Sequence, residues 1–261
     1  MSELMYIYAH VDVLLLIMAR VLAFIWVLPI KEETKLPRMA VAGFSLCIAF
    51  SVYFQVDVNA SYYTNTLLSF TFAIFKEVIV GLIIGFVVKI YFQVFAFVGS
   101  LLSMQGGLSM SMVMDPSSGI QSTTIGRIYT LGFTALFIVS NGYHWLIHTF
   151  IDAFHIIPIN GAVFRTDIVG TAIQMIAGYL EIGLKLSLPI IAVIIIIDFA
   201  MGIMAKSVPQ INMFVVGIPL KMIIMFLLMV ITVQAINEYS FVIIEALTNT
   251  VNEIIQGMRG L

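Results

Sequence analysis

Residues 190–197 read IIAVIIII. A membrane-spanning β-strand alternates apolar and polar residues, because one face meets lipid and the other the barrel interior. This unbroken apolar run excludes that pattern. Inside hydrocarbon every backbone N–H and C=O needs an internal partner, and among single segments only the helix supplies one. The run belongs to a longer apolar stretch, 167–197, interrupted by Glu181, Lys185 and Pro189. That stretch exceeds the ~20 residues that cross a bilayer as a helix.

The rest of the chain has the same character. Hydrophobic residues make up 61% of it and charged residues 10%, and its mean hydropathy is +1.10. Soluble domains lie nearer ~45–50% apolar and ~25% charged. At 261 residues a water-surrounded fold could not hide so much apolar surface. The expected class is therefore all-α and polytopic, a single membrane domain over 1–261. The net charge of −2 and the absence of a basic run give no sign of nucleic acid. The lone cysteine, Cys47, cannot form an internal disulfide and leaves the redox compartment open.

Read along the chain, the first span covers 11–29. Its apolar run is too long for a signal-peptide core and follows Glu3 and Asp12 rather than basic residues, so it reads as a retained helix. A charged loop with Lys31, Lys35 and Arg38 comes next, and its basic density places it in the cytoplasm. A second span covers 39–56 and a third 67–88, with Lys89 expected as a joint before another apolar helix to residue 102. Residues 103–126 break the pattern. A helix is expected from Arg127 to Asp152, and a loop with Pro158, Asn160 and Gly161 follows. The long helix to residue 197, a mixed segment 198–221, a final span to Asn237 and an amphipathic tail complete about six to seven long helices.

Charges inside spans are costly in lipid and so single out candidate sites. Arg20 lies mid-span. Lys76 and Glu77 are adjacent, so they project about 100° apart and pair poorly with each other. Glu77, Gly81 and Gly85 share one face, where small residues admit another helix and the carboxylate serves as polar glue. Glu181 and Lys185, at i and i+4, have the order that favours mutual neutralisation. An ion pathway and a set of buried pairs holding helices together both fit; the second asks less of the sequence.

His144, His148 and Asp152 also share a helix face, with His155 beyond them. A zincin helix needs Glu directly after its first His, and Trp145 stands there, so polar residues near a helix end are the plainer reading. Nucleophile elbows, phosphate loops and dinucleotide fingerprints do not occur. The segment 103–126, SMQGGLSMSMVMDPSSGIQSTTIG, holds Met104, Met110, Met112, Met114, Gly106, Gly107, Asp115 and Pro116. Irregular backbone at membrane depth requires protein cover or a cavity, and flexible Met side chains mould to uneven surfaces. A yielding apolar constriction and an ordinary external loop remain equal readings of its composition.

Several of these residues recur in one known pattern. Arg20 with Pro29 and Pro37, Lys76-Glu77 with Gly81 and Gly85, and Gly106 with Asp115-Pro116 occur in order, followed by Gly142, His144 and Pro158. The densest block is Pro189, Asp198, Gly202, Pro209-Gln210, Asn212, Phe214, Gly217, Pro219 and Lys221. The chain resembles, over nearly its whole length, the FliR family of flagellar export-apparatus proteins, which includes the SctT subunits of virulence type III secretion. The resemblance implies a non-enzymatic subunit of the export gate, without cofactor or metal, in the bacterial inner membrane at the flagellar basal body. It implies assembly with FliP, FliQ and FlhB around a channel for unfolded flagellar proteins. By the same resemblance, 1–165 is FliP-like, 166–261 is a FliQ-like hairpin with its tail, and 103–126 is a plug. The 209–221 block favours the flagellar over the virulence branch. Two rivals stand beside this reading. One is an ion-coupled secondary transporter using Lys76, Glu77, Glu181 and Lys185, for which no matching pair of broken helices is visible. The other is a membrane metalloenzyme using His144, His148 and Asp152.

Overall fold

The structure, a computed structural model, describes residues 11–29, 37–56, 66–108, 124–164, 166–208 and 213–259. Among them it holds eight α-helices and no strand: α1 (Val11–Val27), α2 (Arg38–Tyr53), α3 (Leu67–Gln105), α4 (Thr124–Val139), α5 (Gly142–Ile156), α6 (Thr166–Ser207), α7 (Met213–Ile231) and α8 (Val233–Gly257). The all-α membrane class stands. Two helices, α3 and α6, are long and apolar enough to cross a membrane, and the bent pair α7–α8 adds a third candidate.

Four boundaries differ from the sequence expectation, each for a local reason. The expected joint at Lys89 is absent, and α3 runs unbroken through 39 residues. Lysine is a good helix former, and no Gly or Pro stands beside it to end the ladder. The helix expected to stop at residue 197 runs through Pro189 as read and continues to Ser207, making α6 a single helix of 42 residues. A membrane helix tolerates proline when neighbouring groups take up the freed carbonyls. The helix expected from Arg127 to Asp152 is two helices, because Asn141 adopts φ 56° just before Gly142. Asn-Gly is a turn dipeptide; the Ser140 hydroxyl closes α4 on the Leu136 carbonyl at 2.8 Å. The last span stops at Ile231, not Asn237, where α7 and α8 meet at 60°. Thr232 Oγ1 donates back to the carbonyls of Leu228 at 2.9 Å and Met229 at 3.3 Å, the first of which also takes the Thr232 N–H at 2.9 Å; such back-bonding by a hydroxyl bends helices.

The helices form two compact units. The described residues of 1–90, 141–175 and 246–261 form the first; those of 91–140 and 176–245 form the second. In the first, α1 and α2 pack together, and α1 closes on α3 around Leu16, Ile17, Val80 and Ile84, all fully buried or nearly so. Phe24 of α1 stacks on Phe150 of α5 with centroids 3.9 Å apart. The end of α8 buries Leu247, Val251 and Ile254 while Glu253 and Gln256 face outward, the amphipathic pattern expected of the tail. In the second unit, Phe92 meets Phe133 at 4.9 Å and Phe137 at 5.1 Å, and Phe95 meets Phe133 at 4.9 Å.

Glycines decide how closely α1 and α3 approach. A Cβ on Gly81 would overlap the Arg20 carbonyl oxygen, and one on Gly85 would stand 2.9 Å from the Phe24 carbonyl oxygen. Backbone lies against backbone here, so a methyl group must push the helices apart. Gly81→Ala is expected to destabilise the protein by about 1–3 kcal/mol. Gly43→Ala on α2, where a Cβ meets nothing within 4 Å, is expected to be neutral or slightly stabilising. Thermal unfolding of both variants in detergent checks the contrast.

Candidate functional site

The candidate residues fall into four groups. The first centres on Arg20 and Glu77. Both side chains are 0% exposed, and Arg20 Nε lies 2.5 Å from Glu77 Oε2. An ion pair without water needs its remaining donors and acceptors satisfied, and here protein groups do that. Arg20 Nη1 donates to the Ile157 carbonyl at 2.9 Å, while Nη2 points at the Pro158 carbonyl at 3.5 Å. The guanidinium lies 4.3 Å from the ring centroid of Phe154, within cation–π range. The second Glu77 oxygen, Oε1, accepts the Asn160 N–H at 2.8 Å. Lys76 Nζ points at the carbonyl of the same Asn160 at 3.5 Å. Two adjacent residues of α3, projecting in different directions, thus address the two polar groups of one loop residue.

The loop is shaped for this. Gly161 N–H donates to the Pro158 carbonyl at 2.9 Å, closing a four-residue turn whose third residue, Asn160, has φ 59°. Turns that need a left-handed third residue favour Gly or Asn there. Arg20, Glu77, Lys76, Gly81 and Gly85 therefore meet in one place, joining α1, α3 and the turn after α5. Charges neutralised on the spot, in a packed interior, suit a lock between elements better than a conduit for ions.

The second group lies in the other unit. Lys185 Nζ is 2.5 Å from Glu181 Oε1 on the same helix face, and both side chains are more than half exposed. Asp198 of α6 pairs with Lys221 of α7, bridging the hairpin. Pro209 and Gln210 lie outside the described residues. The third group is the 103–126 segment. Met104 is 60% exposed. Gly106 and Gly107 form the turn that ends α3, where Gly107 has φ 81° and the Gly106 N–H bonds the Leu102 carbonyl at 2.8 Å. Met110, Met112, Met114, Asp115 and Pro116 lie outside the described residues.

The fourth group is the histidine face of α5. His148 Nδ1 and Asp152 Oδ2 are 2.8 Å apart and exposed, and His144 and His155 are exposed on the same helix. Among the described residues no three His, Cys, Asp or Glu side chains converge to hold a metal ion.

The model of the bacterial export proteins, family 1, matches residues 11–247. The chain belongs to that family. Within it the chain is 30% identical to the flagellar biosynthetic protein FliR of Bacillus subtilis, over 95% of this chain and 93% of the relative. It is 27% identical to FliR of Escherichia coli K12, over 90% of each. The surface presentation of antigens protein SpaR of Shigella sonnei is 26% identical over 64% of this chain and 63% of its own. Membership in the export protein family and the apolar helices together make this chain an integral membrane component of an export system.

Sequence reasoning did not pair Arg20 with Glu77 or assign Phe154, Ile157 and Asn160 to them. The usable signal was the Pro158–Gly161 turn with Asn at its third position; the partnership itself spans 57 residues of chain and has no local mark. Removing one member of a buried pair strands the other. Glu77→Ala or Arg20→Ala is expected to cost about 3–5 kcal/mol, and an Arg20→Met/Glu77→Leu double variant less than the two single losses added. Melting temperatures of the three variants in detergent provide the check.

Proposed function

We propose that this chain is a subunit of a flagellar type III protein export gate, which forms and seals the channel for unfolded flagellar proteins. The observation that carries this reading is the family match over 11–247 together with FliR relatives aligned over at least 90% of the chain. The interior supports it: the most completely buried charges hold α1, α3 and the turn after α5 together, as befits a structural part. The work is done without catalysis by this chain, and the energy for export comes from other components. The assembly sits in the bacterial inner membrane at the flagellar basal body. FliP, FliQ and FlhB are its partners, with 1–165 in a FliP-like role and 166–261 in a FliQ-like one. A virulence secretion subunit is the second reading, favoured by the likeness to SpaR. The flagellar reading is preferred because its relatives align over more of the chain and at somewhat higher identity.

Within the gate, 103–126 serves as the plug. Met104 is the exposed side chain at its described root, and flexible methionines along it, Met110, Met112 and Met114, suit a seal that excludes ions yet yields to a passing chain. Deleting 107–118 is expected to let the assembly form while the membrane becomes leaky to ions. Conductance across the membranes of cells carrying the deletion is the measurement, and an unchanged ion barrier would reject the plug assignment.

A further inference from the structure

The outward face of α5 is built from histidine and aspartate. In this helix of 15 residues the exposed positions are His144, His148, Asp152 and His155. The chain has 4 histidines in all, so most of them stand on this one face. The opposite face is fixed in the first compact unit. Leu146, Phe150, Ala153 and Phe154 are buried, Phe150 stacks on Phe24, and the Arg20 guanidinium lies over Phe154. The outward side chains therefore project from a helix that the core holds in place. A face that had only to meet water could carry glutamate or lysine, which form helices better than histidine does.

His144 and His148 are one turn apart, and Cβ atoms at that spacing stand about 5–6 Å from each other. Two imidazoles so placed can reach one ion, each with a nitrogen about 2.0–2.1 Å from it. The same spacing supplies the paired histidines of zinc-binding helices. His148 is already oriented for this. Its Nδ1 lies 2.8 Å from Asp152 Oδ2, and because a carboxylate accepts, Nδ1 carries the proton. In the neutral ring Nε2 then keeps its lone pair. Histidines that ligate metals are held in this way, by a carboxylate on the other ring nitrogen. We propose that His144 and His148 form a two-histidine chelate for a divalent transition-metal ion, with Asp152 as the positioning residue behind His148. Imidazole suits zinc, nickel and copper, whereas magnesium takes oxygen ligands. Among the described residues no third His, Cys, Asp or Glu side chain converges there, so water completes the coordination. Trp145 stands where a zincin helix carries its general base, so the site holds an ion without that hydrolytic machinery. The inference stands apart from the export-gate reading.

The test is calorimetric titration of the purified full chain in detergent, without a polyhistidine tag, using Zn2+, Ni2+ and Mg2+ in turn. Zn2+ and Ni2+ are expected to bind at a single site per chain, and Mg2+ is not. His144→Ala and His148→Ala are each expected to weaken zinc binding about tenfold or more, Asp152→Ala about tenfold, and His155→Ala not at all. These side chains are exposed, so the variants are expected to melt at the wild-type temperature without metal. Added Zn2+ is expected to raise the melting temperature of the wild type and to leave that of the His144→Ala/His148→Ala double variant unchanged. A wild-type chain that binds no Zn2+, or a double variant that binds it as tightly as wild type, would overturn the site. If the histidine variants lose zinc while Asp152→Ala keeps full affinity, the positioning role of Asp152 falls and the chelate stands.

Discussion

The pair of Arg20 and Glu77 sets the conditions under which the first unit can exist. Neither side chain reaches solvent, and an unpaired charge in such a place would cost several kcal/mol. Each charge therefore requires the other, and they meet at 2.5 Å across two helices, α1 and α3, that lie nearly backbone to backbone. Gly81 and Gly85 make that approach sterically open. The remaining valences of the pair then dictate the loop. Arg20 needs carbonyl acceptors and finds one on Ile157; Glu77 needs another donor and finds the Asn160 N–H. The turn after α5 is thus held by the same charges that hold the two helices.

This arrangement explains how far the sequence could be read. The apolar run at 190–197 and the overall composition determine an all-helical membrane protein, because hydrocarbon leaves few alternatives. The i, i+4, i+8 spacing of Glu77, Gly81 and Gly85 marks one helix face, since a helix repeats locally. The identity of the partner is a tertiary fact. Nothing near Arg20 points to residue 77, and nothing near either points to Asn160. The helix breaks show the same limit in miniature. Pro189 and Lys89 look like interruptions and are not, while the Asn141-Gly142 turn dipeptide, set between apolar runs, and Thr232 mark the real ones. In the first case the surrounding helix absorbs the irregular residue; in the second a left-handed residue or a hydroxyl bonded to its own helix changes the direction of the chain.

The two long helices bear on function from another side. At 1.5 Å per residue, the 39 residues of α3 reach about 58 Å and the 42 of α6 about 63 Å, close to twice the ~30 Å of hydrocarbon. Of the most apolar 18 residues of α3, 56% are buried, against 17% for α6. An apolar helix longer than the bilayer and largely uncovered by its own chain needs protein neighbours where lipid ends. The exposed Glu181–Lys185 pair on the same helix is also better suited to protein than to hydrocarbon. Lipid thus accounts for about half the length of α6, and the apolar surface that its own chain leaves uncovered fits the partner subunits of the export gate proposed above.

The most direct measurement is the mass and composition of the tagged full-length chain purified from its own membranes in mild detergent. The expected result is a complex well above the 29.0 kDa of the single chain, containing a two-helix hairpin protein and a larger apolar helical protein in unequal numbers. A monodisperse 29.0 kDa chain, stable without other subunits, would contradict it.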